Sequence, residues 1–359
     1  MVVGTQTKSR ETGVIKSWIF EFFPTPPEMN VKFEPAVSQR YFDSYLDLWA
    51  SAEPAGFDGI FFSEHHFGAA YSPSPNLLIS NVALRTKKIR LGVMGVVPPY
   101  HSPWQLVEEF GMLDHLTGGR LEIGTAAGIP NEMAHVGITP DEARARNDEA
   151  LEIVDAALAS PVISHHGKYW NFDELRIVPR CVQQPAPPKW VTVVSVSSAR
   201  KAARRGAKIC TGFHPQSTVI EIFDAYRDEA AKAGRKVGPD DLCIRRQVTM
   251  LEDDKEAEAA LATRRKMFRE FIQIDPRVNL PNRPAVLDTP SAHAFSIGDE
   301  EFIAGTPATV AKEVIAQCQS AGAGHFAAIF DRSASVSRLK DWYGDFGKGT
   351  IPALRAAAV

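Results

Sequence analysis

The sequence predicts an α/β fold, a (β/α)8 TIM barrel with insertions, and three observations carry that reading. Short runs rich in β-branched and aromatic residues alternate with longer amphipathic stretches along most of the chain. Eight strands can be counted, the first four with their helices fitting in about 145 residues, a rhythm that implies a parallel sheet with right-handed crossovers. No G-x-G-x-x-G follows any strand, which weighs against an open dinucleotide-binding sheet, and 359 residues suit a barrel with insertions. The chain is read as one domain over residues 1–359.

The first strand is residues 14–23, from Val14 to Phe23, closed by Pro24. A helix from about Tyr41 to Ala52 places Tyr41, Tyr45, Leu48 and Trp49 on one face, and Gly56 ends it. Then comes Gly59-Ile60-Phe61-Phe62, an apolar run that stops in Ser63-Glu64-His65-His66. Residues 76–85 read as a helix, 89–97 as a strand, and 103–116 as a helix with Pro103 at its start and Gly118-Gly119 past its end. The strand 121–125 and the helix 141–158 follow. Residues 161–189 break the rhythm and are read as a loop excursion. Strands at 190–195, 207–213 and 242–251 alternate with helices at 198–205, 218–232 and about 253–271. The proline-containing segment 274–299 has no sustained period and is expected to be a flap over the site. A helix from Thr306-Pro307 and the strand 325–330 complete the barrel.

Composition narrows the class of function. Forty basic and 43 acidic residues leave a charge of -3, too small to argue for a nucleic-acid or membrane partner. The four cysteines form no C-x-x-C pair, so reduced thiols are expected rather than zinc ligands or a disulfide framework, and no histidine spacing such as H-E-x-x-H calls for a metal. Residues 1–13 are polar and no run is long enough to span a bilayer, so a cytoplasmic location is expected.

Three features fall where strands end, the face on which such barrels place their sites. An imidazole of Glu64-His65-His66 can act as acid or base near neutrality, although packing explains a His-His dipeptide about as well. Gly124-Thr125-Ala126-Ala127-Gly128 lets a planar ligand approach the backbone, or makes only a tight turn. Ser195-Val196-Ser197-Ser198 opens a helix, where hydroxyls and free N–H groups suit a phosphate, with Arg200 and Lys201 close by; serines also serve as ordinary caps. His101 and His214 are second choices, and His165-His166 is given no role. Phe67, Tyr71, Tyr100 and Phe213 suggest a largely apolar substrate pocket, although a place in the core would account for any of them.

Taken together, the run from Phe57 to Phe67, Ser74-Pro75-Asn76, Thr86 to Gly92, His101-Ser102-Pro103, Glu108-Glu109, Leu113 to Gly124 and Gly305-Thr306-Pro307 resembles the bacterial luciferase-like flavin-dependent monooxygenases. The resemblance implies a two-component enzyme. Reduced FMN made by a separate NAD(P)H-dependent flavin reductase would react with O2 to a C4a-peroxyflavin and oxygenate a small, largely apolar substrate. It matches His65 to the residue that acts as base or steadies the peroxide, with Glu64 and His66 in support. It places a non-prolyl cis peptide at Met94-Gly95, flavin contacts at Thr125 and Ala126, and phosphate contacts at Ser195, Ser197 and Ser198. It also implies a homodimer packed through residues 76–85 and 103–116. Ala126 and Ala127 replace a cysteine and a phosphate-binding arginine of luciferase itself, and Val194 replaces a glutamate. An F420-dependent hydride-transfer enzyme and a non-catalytic flavin binder are the alternatives.

Overall fold

The computed structural model describes residues 13–26, 34–67, 70–273 and 297–359. Its sheet runs β1 (Lys16–Glu21), β2 (Gly59–Phe62), β3 (Arg90–Val93), β4 (Leu121–Thr125), then a two-stranded excursion of β5 (Val162–His166) and β6 (Asn171–Arg176). It resumes with β7 (Lys189–Thr192), β8 (Lys208–Thr211), β9 (Leu242–Met250), β10 (Phe302–Gly305) and β11 (His325–Phe330). All pairs in the main sheet are parallel, and β1 through β4, β7, β8, β9 and β11 close on themselves through the β1–β11 pair. The eight-stranded barrel read from the sequence is therefore the fold. β10 is an extra strand: it borrows the upper half of β9, Gln247 to Met250, where β8 has already ended.

The helices are α1 (Pro35–Ala50), α2 (Ala52–Ala55), α3 (Pro75–Arg85), α4 (Pro103–Thr117), α5 (Pro130–His135), α6 (Pro140–Ala159), α7 (Val196–Arg204), α8 (Gln216–Lys232), α9 (Ala257–Gln273), α10 (Pro307–Ala321), α11 (Val336–Asp345) and α12 (Ile351–Ala356). Their starts follow local chemistry. Proline occupies the first turn of α3, α4, α6 and α10, where a missing N–H costs nothing, and Gly118 and Gly322 take left-handed φ of 64° and 61° to end α4 and α10. Among the described residues no helix is long and apolar enough to cross a membrane.

Two expectations need correction, and a third falls largely outside the described residues. The excursion at 161–189 is not all loop: β5 and β6 form an antiparallel hairpin, tied to α6 because the Glu149 carboxylate accepts the N–H groups of Lys168, Tyr169 and Trp170. The run 302–305 is a strand, and 336–345 and 351–356 are helices that the sequence reading did not assign. The flap expected at 274–299 falls on residues 274–296, which lie outside the described residues; Asp299 to Glu301 form a single 3-10 turn before β10.

Strand alternation sorts the core into two layers. Ile19, Ile60, Phe62, Leu91, Val93, Leu121, Ile123, Ile244 and Phe326 face the helices, whereas Trp18, Phe20, Phe61, Met94, Trp190, Cys210, Cys243, Ala327 and Ile329 fill the barrel interior. Trp18 lies on Phe61 with ring centres 4.3 Å apart and planes 14° from parallel, and Trp190 meets both edge-on. Gly59 makes room for this plug. A Cβ there would stand 1.9 Å from Trp18 Cζ3. Gly59→Val is expected to displace the indole and lower stability by ~1–3 kcal/mol, the usual range for an overpacked core, measured by urea unfolding.

Candidate active site

At the carboxyl end of β2 the chain leaves the sheet as Ser63-Glu64-His65-His66, and the period of two carries into the turn. Ser63 and His65 share the parity of the interior residue Phe61, and Glu64 shares that of the outward-facing Phe62. The rings agree: Phe22, packed on the interior cluster, stacks on His65 at 5.4 Å and 23°. His65 Nδ1 lies 2.9 Å from Glu132 Oε1. A carboxylate only accepts, so Nδ1 carries the proton and Nε2 is the ring atom left for chemistry. Among the described residues His65 Nε2 makes no hydrogen bond, and the side chain is 22% exposed against 6% for Glu132. Glu132 sits on the short helix α5, a segment that no sequence pattern had marked.

Glu64 does something different. Its side chain is fully buried, and its carboxylate gathers three donors: Val97 N–H at 3.1 Å, His101 Nε2 at 2.9 Å and His66 Nε2 at 3.0 Å. Burial alone would raise the carboxyl, yet the hydrogen bonds from His101 and His66 outweigh it and hold Glu64 below the ordinary carboxylate range. His101 shows the reciprocal balance: burial would lower it, but Glu64 and, more weakly, Glu109 raise it above the usual imidazole value. The second and third histidines therefore brace the loop after β3 to the end of β2, leaving His65 to face the interior. Tyr100 packs edge-on against His66 at 4.9 Å, and its buried hydroxyl has no partner among the described residues.

The floor beside this group is the Met94-Gly95 peptide, which is cis. Gly95 presses on the next strand so closely that a Cβ would lie 2.4 Å from the carbonyl carbon of Thr125, and Ala126 N–H donates to Val96 O at 2.8 Å. Met94, Gly95, Thr125 and Ala126 thus form one contiguous backbone surface beside the end of β4. Ser195, Ser197 and Ser198 stand elsewhere on the rim, at the start of α7. Ser195 and Ser198 bond each other's backbone N–H groups at 3.2 and 3.1 Å, a reciprocal capping box. Ser197 and Arg200, by contrast, are exposed and their side chains make no hydrogen bond among the described residues, while Lys201 is paired with Asp148 at 2.6 Å.

The remaining sequence candidates separate cleanly. His214 is buried, and burial together with Arg246 and Arg245 pulls it below its ordinary value. His165 and His166 belong to the hairpin and pair with Glu149 and Asp173. Tyr71 is not a pocket residue: its ring packs against Phe23, Tyr41 and Phe42 in the outer layer. Phe67 is 53% exposed against His66 and His135. Above the Trp18, Phe61 and Trp190 plug, the aromatics on the interior side are Phe20, Phe22 and Phe213.

Set beside known proteins, residues 29–325 match the model of the luciferase-like monooxygenase family. The chain belongs to that family. It is 33% identical over 298 residues to an uncharacterized protein of Sinorhizobium fredii, covering 81% of this chain and 84% of that one. It is 26% identical over 226 residues to the oxygenase component of the flavin-dependent trigonelline monooxygenase of Acinetobacter baylyi, covering 62% of this chain and 63% of that one. Among solved structures, the oxygenating constituent of 3,6-diketocamphane monooxygenase from Pseudomonas putida, in complex with FMN, superposes with a TM-score of 0.72 at 20% identity, covering 94% of this chain and 98% of that one. An F420-dependent secondary alcohol dehydrogenase superposes with a TM-score of 0.70 at 17% identity, covering 95% and 99%. At such identities the likeness speaks for the fold.

Opposite shifts in one pair define a pH window. Glu64, held below its ordinary 4.5, lends stability above that value and loses it as pH falls through its folded value. His101, held above 6.5, lends stability that is full below 6.5 and is lost as pH rises through its folded value. The stability difference between wild type and His101→Gln is expected to be larger at pH 6 than at pH 8.5, by urea unfolding at both.

Proposed function

We propose that this protein is the oxygenase component of a two-component flavin-dependent monooxygenase, taking reduced FMN from a separate NAD(P)H-dependent reductase and using O2 on a small organic substrate. The observation that carries the reading is the juxtaposition of His65, oriented by Glu132, with the backbone surface where Gly95 presses on Thr125. The residues present fit a flavin. The close backbone approach of Gly95 to Thr125 suits a planar ring, and α7 offers the Ser197 hydroxyl and the first-turn N–H groups that its capping box leaves free to a phosphate. Arg200, or another cation brought in from elsewhere in the fold, serves in place of the arginine absent at Ala127. Reduced FMN, when bound, supplies the electrons that activate oxygen.

In this reading the chain's own residues position and protonate. Glu132 fixes the His65 tautomer, so Nε2 is aimed into the barrel mouth to hold or deliver a proton. Glu64 is a positioning residue: it locks His66, His101 and the Val97 backbone, and so the loop that carries the flavin surface. Phe20, Phe22 and Phe213 line the interior beside His65 and exclude water.

Reduced FMN held by the wild-type protein is expected to reoxidise in air at least about tenfold more slowly than free reduced FMN, a protection of ~1.4 kcal/mol or more, by stopped-flow absorbance. Failure to bind reduced FMN while binding reduced F420 would instead assign the hydride-transfer reading. His65→Ala is expected to keep reduced-flavin affinity and to lose roughly 10²- to 10⁴-fold in product formation, the range for a missing acid or base. Glu132→Gln should lose less, because the ring remains but its tautomer is no longer fixed.

A homodimer through α3 and α4 also belongs to this proposal. Leu77, Leu84, Met112 and Leu116 are 65%, 71%, 54% and 49% exposed on these two packed helices, an apolar face on one side of the barrel. Leu84→Glu combined with Met112→Glu is expected to halve the mass measured by light scattering; an unchanged mass would place the contact elsewhere.

A further inference from the structure

Climbing β9 from the aromatic plug, the side chains that face the interior are Cys243, then Arg245, then Gln247, by the same period of two. Arg245 is 5% exposed, with its guanidinium carbon 4.5 Å from the centre of Phe20 and 4.3 Å from that of Phe213. Apart from these two rings it has little to hold it. Among the described residues none of its guanidinium N–H groups meets an acceptor, and Nε is fully enclosed. Glu301, the carboxylate whose field reaches it, is hydrogen-bonded instead to Arg246 at 3.0 Å and to Phe213 N–H at 2.8 Å.

Nor is Arg245 alone. Gln247 accepts from Arg264 at 2.9 Å, but its own Nε2 is enclosed without an acceptor. The hydroxyls of Ser63 and Thr192, on the interior parity of β2 and β7, are likewise enclosed without a partner. A layer of stranded polar groups thus lies on top of an aromatic floor. Burying a cation with no hydrogen-bonding partner works against folding, and an apolar side chain would pack the same space better. The arrangement is accounted for by a ligand that brings the missing acceptors.

We propose that Arg245 and Gln247 form a carboxylate subsite inside the barrel, and that the substrate is an apolar or aromatic molecule bearing a carboxylate. The anion meets the guanidinium fork with two oxygens, and its body lies against Phe20, Phe22 and Phe213. A neutral analogue leaves both donors unpaired and is rejected for that reason. This sharpens the largely apolar substrate expected from the sequence. It rests on the monooxygenase reading for the reaction, and on the interior of the barrel alone for the subsite.

The test uses the full-length, flavin-free protein and two matched probe pairs, acetate with acetamide and phenylacetate with phenylacetamide, by isothermal titration. In at least one pair the carboxylate is expected to bind tenfold or more tighter than the amide. Arg245→Met should abolish that preference without lowering the melting temperature, and Arg245→Lys should keep part of it. Equal binding within both pairs, or a preference that survives Arg245→Met, overturns the proposal. So does a large fall in melting temperature in Arg245→Met and Arg245→Lys alike, which marks the guanidinium as structural. A tenfold loss of reduced-FMN affinity in Arg245→Met assigns the cation to the cofactor and overturns it as well. The two readings fail separately: absent FMN oxygenation with an intact carboxylate preference sinks the monooxygenase, and the converse sinks only the subsite.

Discussion

Everything in this barrel stands on the stacking of Trp18 against Phe61. An eight-stranded parallel barrel has an interior just wide enough to be filled by side chains, and here three large rings do most of the filling at one level. The indole N–H of Trp18 donates to His325 Nδ1 at 2.8 Å, and His325 Nε2 meets Asp240 at 2.9 Å. Burial would raise Asp240, but His325, Lys16 and Lys208 together hold it well below its ordinary value. The amino-terminal half of the interior is therefore closed twice, by aromatic packing and by a polar lock. The carboxyl-terminal half is left for polar groups that packing does not need.

Above that floor the pleat divides labour between neighbours in sequence. Glu64 and His65 are adjacent, yet one is turned outward to brace a loop and the other inward toward Phe22. Arg245 and Arg246 repeat the pattern. Arg246 points to the helices, and each of its three nitrogens donates, to Gln317, Glu301 and Gln216 at 2.8, 3.0 and 2.9 Å, whereas Arg245 points into the barrel and bonds to no acceptor among the described residues. A one-residue slip in either strand would exchange these roles.

This division explains what could and could not be read from the chain. The barrel was legible because short runs carrying β-branched and aromatic residues recur between longer helical stretches, and several of the helices carry proline or glycine where their ends require them. β10 was missed because four residues ending in glycine after a proline-containing stretch give no period to detect. Glu132 was invisible for another reason: its partnership with His65 spans 67 positions and depends on where a six-residue helix happens to dock. The serines at α7 read as a possible anion site, but only the folded geometry shows that Ser195 and Ser198 already serve each other. Arg245 lay in an unbroken strand of nine residues, where the sequence reveals a charge but not the lack of a hydrogen-bond acceptor.

The docking of α5 has a kinetic side as well. Its buried apolar residue Met133 packs with Val97 and Ala143 in a small cluster apart from the main core. Segments held by few apolar contacts open locally at far lower free energy than the whole domain. When α5 frays, Glu132 leaves and the His65 ring is free to rotate, while every barrel hydrogen bond remains. The geometry of this site would then have a lower thermal ceiling than the fold that carries it.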